Sequence, residues 1–149
     1  MSLQTEVMTA MKAAMKAKDQ NALASLRAIK SAILTAQTES GAAGELSEDE
    51  EIKMLQKLVK QRKDSAAIYQ DQGREEMAEE ELAQAAVIEQ FLPEQLSEAE
   101  IEKVVAAIIE KTGATGMQDM GKVMGLASQE LAGKADGKTI STLVKSKLA

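Results

Sequence analysis

The segment SEDEEIKMLQKLVKQRKDSAAIYQDQG, running from Ser47 to Gly73, sets the fold class. Ser47 followed three residues later by Glu50 is a capping box: hydroxyl and carboxylate each accept a backbone N–H that a helix start leaves open. Ile52, Leu55, Val59, Ala66 and Tyr69 then recur at helical spacing, and Gly73 ends the run. Toward the C-terminus, Ala78, Leu82, Ala85, Ile88 and Leu92 form the inward face of a second helix. Pro93 stops it, because proline lacks an N–H and its ring clashes with the preceding turn. Ser97 with Glu100 repeats the box and opens a helix on Ile101, Val104, Val105 and Ile108. Gly113 and Gly116 bracket a short loop. Met120, Val123, Met124, Ala127 and Leu131 mark the next helix and Gly133 closes it. Asp136 can cap a last helix carrying Ile140, Leu143, Val144 and Leu148.

Toward the N-terminus, Ser40 to Glu45 reads as a loop, since two nearby glycines oppose helix and strand alike. Before it, Leu3, Val7, Met11, Ala14 and Met15 share one helix face. Asp19 can cap a helix that buries Leu23, Leu26, Ile29 and Ile33. No strand is needed anywhere. The expected architecture is all-α, a four-helix N-terminal part followed by a three-helix C-terminal domain. Residues 1–92 and 97–149 are the expected domains, with 93–96 as the linker between them.

Composition agrees. Ala, Glu, Lys, Leu and Arg make up about half of the 149 residues, a helical bias. One Phe and no Trp leave an aliphatic core. The absence of His and Cys excludes disulfides, the usual zinc sites, haem and iron–sulfur ligation, and Ser-His or Cys-His nucleophiles. Neither a metal site nor a cofactor is expected. No apolar run approaches the roughly 20 residues of a membrane span, and the N-terminal stretch lacks a signal-peptide core, so no membrane association and a cytoplasmic location are expected.

The net charge of −6 is unevenly placed: +3 over residues 1–36, −11 over 37–100 and +2 over 101–149. Solvated helix faces account for most of it; a basic C-terminal third meeting a polyanion is the sharper reading. Three charges fall inside apolar faces: Arg62, Glu81, and Lys30 with Arg27 at its edge. Arg62 and Glu81 lie eleven residues before and eight after Gly73, nearly level in an antiparallel hairpin, and are expected to form a structural ion pair. Glu75, Glu76, Glu79, Glu80 and Glu81 mostly face solvent at helical spacing and lack the His of a di-metal bundle. Ser141 and Lys145 lie one turn apart without an oxyanion site. No catalytic residue is assigned.

The least ordinary segment is Gly121-Lys122-Val123-Met124-Gly125 with Gly133-Lys134-Ala135-Asp136-Gly137-Lys138. Gly121 and Gly125 lie one turn apart, and each costs nearly 1 kcal/mol of helicity against Ala. Close approach of a neighbouring backbone or of a partner explains them. The second half feeds a helix N-terminus with two lysines, where anions are favoured. It is not a Walker loop, and with one Tyr and one Phe any RNA contact runs through shape and phosphates rather than base stacking.

These residues carry a resemblance. Lys60-Gln61-Arg62 with Asp64-Ser65, Tyr69 and Gly73-Arg74; Glu81 through Val87-Ile88 to Phe91-Leu92-Pro93-Glu94-Gln95-Leu96-Ser97; and the two glycine–lysine stretches with Leu143-Val144 together resemble the GatB/YqeY family over essentially the whole chain. Arg27 in Leu26-Arg27-Ala28-Ile29-Lys30 also fits. Phe91 stands where Tyr is common in that family, and Gln84-Ala85 where Glu-Ile is. The resemblance implies an all-helical protein whose C-terminal part is similar to the tail of the B subunit of the tRNA-dependent amidotransferase. Carried over by position, it places candidate RNA contacts at Lys122, Lys134 and Lys138. It also brings a family label, carbon–nitrogen ligase with glutamine as amide donor, although neither an ATP-binding nor an amidase motif is present. The resulting expectation is an accessory module, not catalytic alone, for tRNA or an aminoacyl-tRNA enzyme. The alternative is a protein–protein adaptor using Met117, Met120 and Met124 or the acidic middle.

Overall fold

A helix start leaves backbone N–H groups without an intrahelical acceptor; Asp19, Ser47, Ser97 and Asp136 supply one from their side chains, whereas the helices that begin after Arg74 and Asp119 have no side-chain cap. In the computed structural model, which describes residues 2–39 and 46–149, Asp19 Oδ1 accepts from Ala22 N at 3.0 Å. Ser47 Oγ accepts from Glu50 N at 3.2 Å while Glu50 Oε2 accepts from Ser47 N at 2.7 Å, a complete capping box. These backbone and hydroxyl donors hold the Glu50 carboxyl below its usual pKa. Ser97 accepts from Glu100 N at 3.2 Å, but Glu100 takes the Ser97 hydroxyl at 3.1 Å, so this second motif is only half a box.

The helices are α1 (Leu3–Ala17), α2 (Gln20–Glu39), α3 (Glu48–Asp71), α4 (Glu75–Glu89), α5 (Glu98–Thr112), α6 (Met120–Glu130) and α7 (Gly137–Leu148), with a 3-10 turn at Met117–Asp119. The chain is all-α, and no strand occurs among the described residues. The expected loop Ser40 to Glu45 lies outside the described residues. Gly73 adopts φ +73°; Arg74 N donates to Tyr69 O at 2.8 Å and Gly73 N to Gln70 O at 3.1 Å, the paired bonds of a Schellman stop. Lys18 ends α1 in the same left-handed conformation at φ 56°, without glycine's freedom.

The chain divides into two compact units, Met1–Leu92 and Pro93–Ala149. In the first, α3 and α4 form a long antiparallel hairpin and α1–α2 a second one, joined chiefly by α2 against α4. Leu26, Ile29, Leu55 and Ile88 are fully buried at its centre. Burial of each such side chain contributes about 1.5–3 kcal/mol. Ser25, also fully buried, is satisfied by donating to Asn21 O at 2.9 Å, and Gln84 Nε2 reaches Asn21 Oδ1 at 3.3 Å across α2 and α4. The second unit packs α5, α6 and α7 around Val105, Val123, Leu131 and Val144.

Candidate nucleic-acid interface

In the second unit, α6 buries Val123 and Ala127, half-buries Met120 and Met124 beside them, and turns its opposite side outward. Gly121, Gly125 and Ser128 follow one outward row at 100° per residue, all exposed, with Lys122 and Gln129 beside it. A Cβ built on Gly121 or Gly125 meets nothing within 4 Å. The close approach expected at these glycines is therefore not made by this unit's own backbone. An open helical surface without side-chain bulk is left, where a substitution to Ala would be sterically free.

Gly133 is buried at φ +78°, turning the chain from α6 toward α7. Its carbonyl accepts from Gln95 Nε2 at 2.6 Å, and Lys134 O accepts from Leu96 N at 3.0 Å. Gln95 also donates to Pro93 O at 2.9 Å. The segment after Pro93 thus clamps the Gly133–Lys134 turn. Reading 93–96 only as a linker overlooks this role of Gln95. The sequence signal was an amide-bearing side chain just after a proline, with nothing to identify its partner.

Lys122, Lys134 and Lys138 are all exposed, and none lies within ion-pair distance of a carboxylate among the described residues. Lys134 sits in the turn after α6 and Lys138 in the first turn of α7. Lys122 stands apart: α6 runs eight residues beyond it, about 12 Å of helix. The N-terminus of α7 is less open to anions than expected. Asp136 Oδ1 already accepts from Thr139 N at 2.6 Å, which places a carboxylate at the positive end of the helix. The unit's ion pair, Lys147 Nζ to Glu102 Oε1 at 3.1 Å, joins α7 to α5 elsewhere.

Other expected site residues fall differently. Arg62 and Glu81 are both half-buried but do not pair. Arg62 Nη1 instead donates to Leu58 O on its own helix at 3.2 Å, and its Nε is buried with no hydrogen-bond partner. Counted from the Gly73 turn, Arg62 stands level with Gln84 or Ala85, and Glu81 with Ser65 or Ala66. Side chains lean toward the N-terminus of their own helix, so in this antiparallel hairpin Arg62 leans away from the Gly73 turn, to Leu58, and Glu81 toward it, and the two heads diverge. The ion pair that does bridge the hairpin is Lys63 Nζ to Glu89 Oε1 at 2.8 Å. Lys30 is exposed rather than drawn into the core, and Leu82 is exposed rather than inward. Met120 and Met124 are half-buried against the second core, while Met117 is exposed. Among the described residues no group of His, Cys, Asp or Glu is arranged to hold a metal, and no helix is long and apolar enough to cross a membrane.

The family described as Yqey-like protein matches residues 4–148. The chain is also similar to a component of a larger enzyme, the E subunit of the glutamyl-tRNA(Gln) amidotransferase of Thermococcus gammatolerans. The two are 42% identical over 57 residues, a match covering 36% of the chain and 9% of that protein. The corresponding protein of Thermococcus sibiricus is similar to the same extent, 42% over 57 residues. The chain therefore spans under a tenth of the length of these relatives, with 9% of each covered.

Proposed function

The chain belongs to the Yqey-like protein family, and from that premise we propose that it is an accessory module that contacts tRNA, or an enzyme acting on aminoacyl-tRNA, through its C-terminal unit. The observation that carries this reading is the open face of α6. Gly121 and Gly125 give up helix stability with nothing of their own unit packed on them, beside an exposed, unpaired lysine. A sugar–phosphate backbone needs such a surface: free of side-chain bulk for close approach, and flanked by cations. Lys122 meets one stretch of backbone, and Lys134 with Lys138 another beyond the far end of α6. Gln95 holds the Gly133–Lys134 turn that presents the second pair. The similarity to proteins named for tRNA amidotransfer supports tRNA as the nucleic acid.

The chemistry of a carbon–nitrogen ligase using glutamine then belongs to another polypeptide, and this chain positions the RNA. Titration of labelled tRNA with the full chain across a salt series tests the reading. Replacing Lys122, Lys134 and Lys138 with Gln should weaken binding at least about 10-fold near 100 mM salt and flatten the salt dependence by about 0.7–0.9 for each phosphate no longer neutralised. Binding absent at high micromolar protein, or indifferent to the triple substitution, rejects it. Glutamine-dependent amidation of charged tRNA by the purified chain alone would reject the accessory role.

A further inference from the structure

The first unit carries its own cluster of unpaired cations. Residues 1–36 hold five, Lys12, Lys16, Lys18, Arg27 and Lys30, against two carboxylates, Glu6 and Asp19. All five are exposed, and among the described residues none is within ion-pair distance of a carboxylate. Asp19 is already engaged, accepting from Ala22 N at 3.0 Å. On α1, Lys12 and Lys16 follow the buried Leu3 and Val7 by nine residues each, half a rotation at 100° per residue, and so occupy the face opposite the core. Lys12 is also one turn beyond Met8, which lines a shallow depression together with Lys30 of α2. Arg27 precedes Lys30 by three residues on α2. Lys18, Lys16, Lys12, Lys30 and Arg27 thus follow one another over the α1–α2 hairpin.

Lys18 marks this patch as more than a solvated face. Among the described residues it is the one non-glycine with positive φ, at 56°. Glycine fills the same left-handed position at Gly73, Gly113 and Gly133. A side chain there strains the backbone. The helix dipole does not call for it, because Lys16 already supplies a cation to the last turn of α1. What the strain retains is a fifth charge at the tip of the hairpin.

We propose that these five residues form a second contact for a nucleic-acid backbone, on the first unit. The proposal rests on the RNA reading for its partner and adds a site of its own. The charges are strung out along two helices and do not converge on a point, so a small phosphorylated ligand could meet only one or two of them. A nucleic-acid backbone carries a charge on every residue and meets such a row along its whole length. An acidic peptide offers that density only as an unbroken run of carboxylates.

Labelled tRNA is titrated with the full chain across a salt series. Lys12→Gln/Lys16→Gln/Lys18→Gln should weaken binding at least about 10-fold near 100 mM salt and flatten the salt dependence by about 2. Arg27→Gln/Lys30→Gln should weaken it about 5-fold. Lys12→Arg/Lys16→Arg/Lys18→Arg, which keeps the charges, should keep affinity and salt dependence alike. Lys18→Gly should raise the thermal midpoint and still weaken binding about 2-fold, which separates charge from stability. Lys53→Gln/Lys57→Gln/Lys63→Gln removes the same net charge from α3 and should change affinity less than about 2-fold. An equal loss there would reduce the patch to net charge and overturn the proposal. It is also overturned if the α1 and α2 sets bind like the parent, whatever substitution of Lys122, Lys134 and Lys138 does. Tighter binding of a poly-glutamate peptide or of phosphatidylserine vesicles than of tRNA at the same salt, lost in the α1 set, would overturn it as well. Loss in the α1 and α2 sets with Lys122, Lys134 and Lys138 dispensable would uphold this site and reject the α6 surface.

Discussion

Replacing Gly121 and Gly125 with Ala separates stability from binding in one experiment. Gly125 lies inside α6 (Met120–Glu130), where Ala is better by about 1 kcal/mol. Gly121 is the second residue of the helix, where frayed ends halve the effect to about 0.5 kcal/mol. No steric cost opposes these gains, because the new methyl groups meet nothing within 4 Å. The double variant should therefore stabilise the C-terminal unit by about 1.5 kcal/mol. At about 4–8 °C per kcal/mol for a unit of this size, its calorimetric transition should rise by about 6–12 °C. In tRNA titrations the same variant should bind several-fold more weakly, since each methyl group stands where a backbone would approach. A protein made less stable would refute the open-face geometry. One made more stable, with unchanged tRNA affinity, would refute the assignment of these glycines to a binding surface.

Lys18→Gly relieves a left-handed residue costing about 1–2 kcal/mol and adds about 0.5–1 kcal/mol of unfolded-state freedom, so urea denaturation should show a net gain of about 0.5–1 kcal/mol. Arg62→Met removes a guanidinium whose buried Nε lacks a partner; stability should hold or rise by up to about 1 kcal/mol, and a loss beyond about 2 kcal/mol would show that the bond from Nη1 to Leu58 O outweighs the unpaired Nε. The Glu50 carboxyl is held below its ordinary value of 4.5, so its contribution to α3 is present above that value and is lost as pH falls through the lower folded value. Amide-resolved NMR should show the first turn of α3 fraying in that acid window, and Glu50→Gln should remove the pH dependence. Ile88→Ala, at a fully buried site, should cost about 2–5 kcal/mol in chemical denaturation.

What could be read from residues alone was local. Capping side chains, apolar spacing and turn residues act within one or two helical turns, so helix starts at Asp19 and Ser47 and the stop at Gly73 were legible without any knowledge of neighbours. The complete box at Ser47 and the half box at Ser97 share one pattern and differ only in where a carboxylate settles.

Residue order alone makes the chain helical, marks where most helices begin and end, and dictates which residue types its chemistry must do without. Periodicity states the azimuth of a side chain around its own helix, but not which azimuth a neighbouring helix will cover. Packing between distant segments settled that Lys30 and Leu82 meet water, that Arg62 turns back to Leu58 instead of to Glu81, that Gln95 clamps the turn at Gly133, and that Gly121 and Gly125 look outward. Each depends on where a second helix lies, to within a turn, and that position is set by the summed packing of a whole unit rather than by any short stretch of residues.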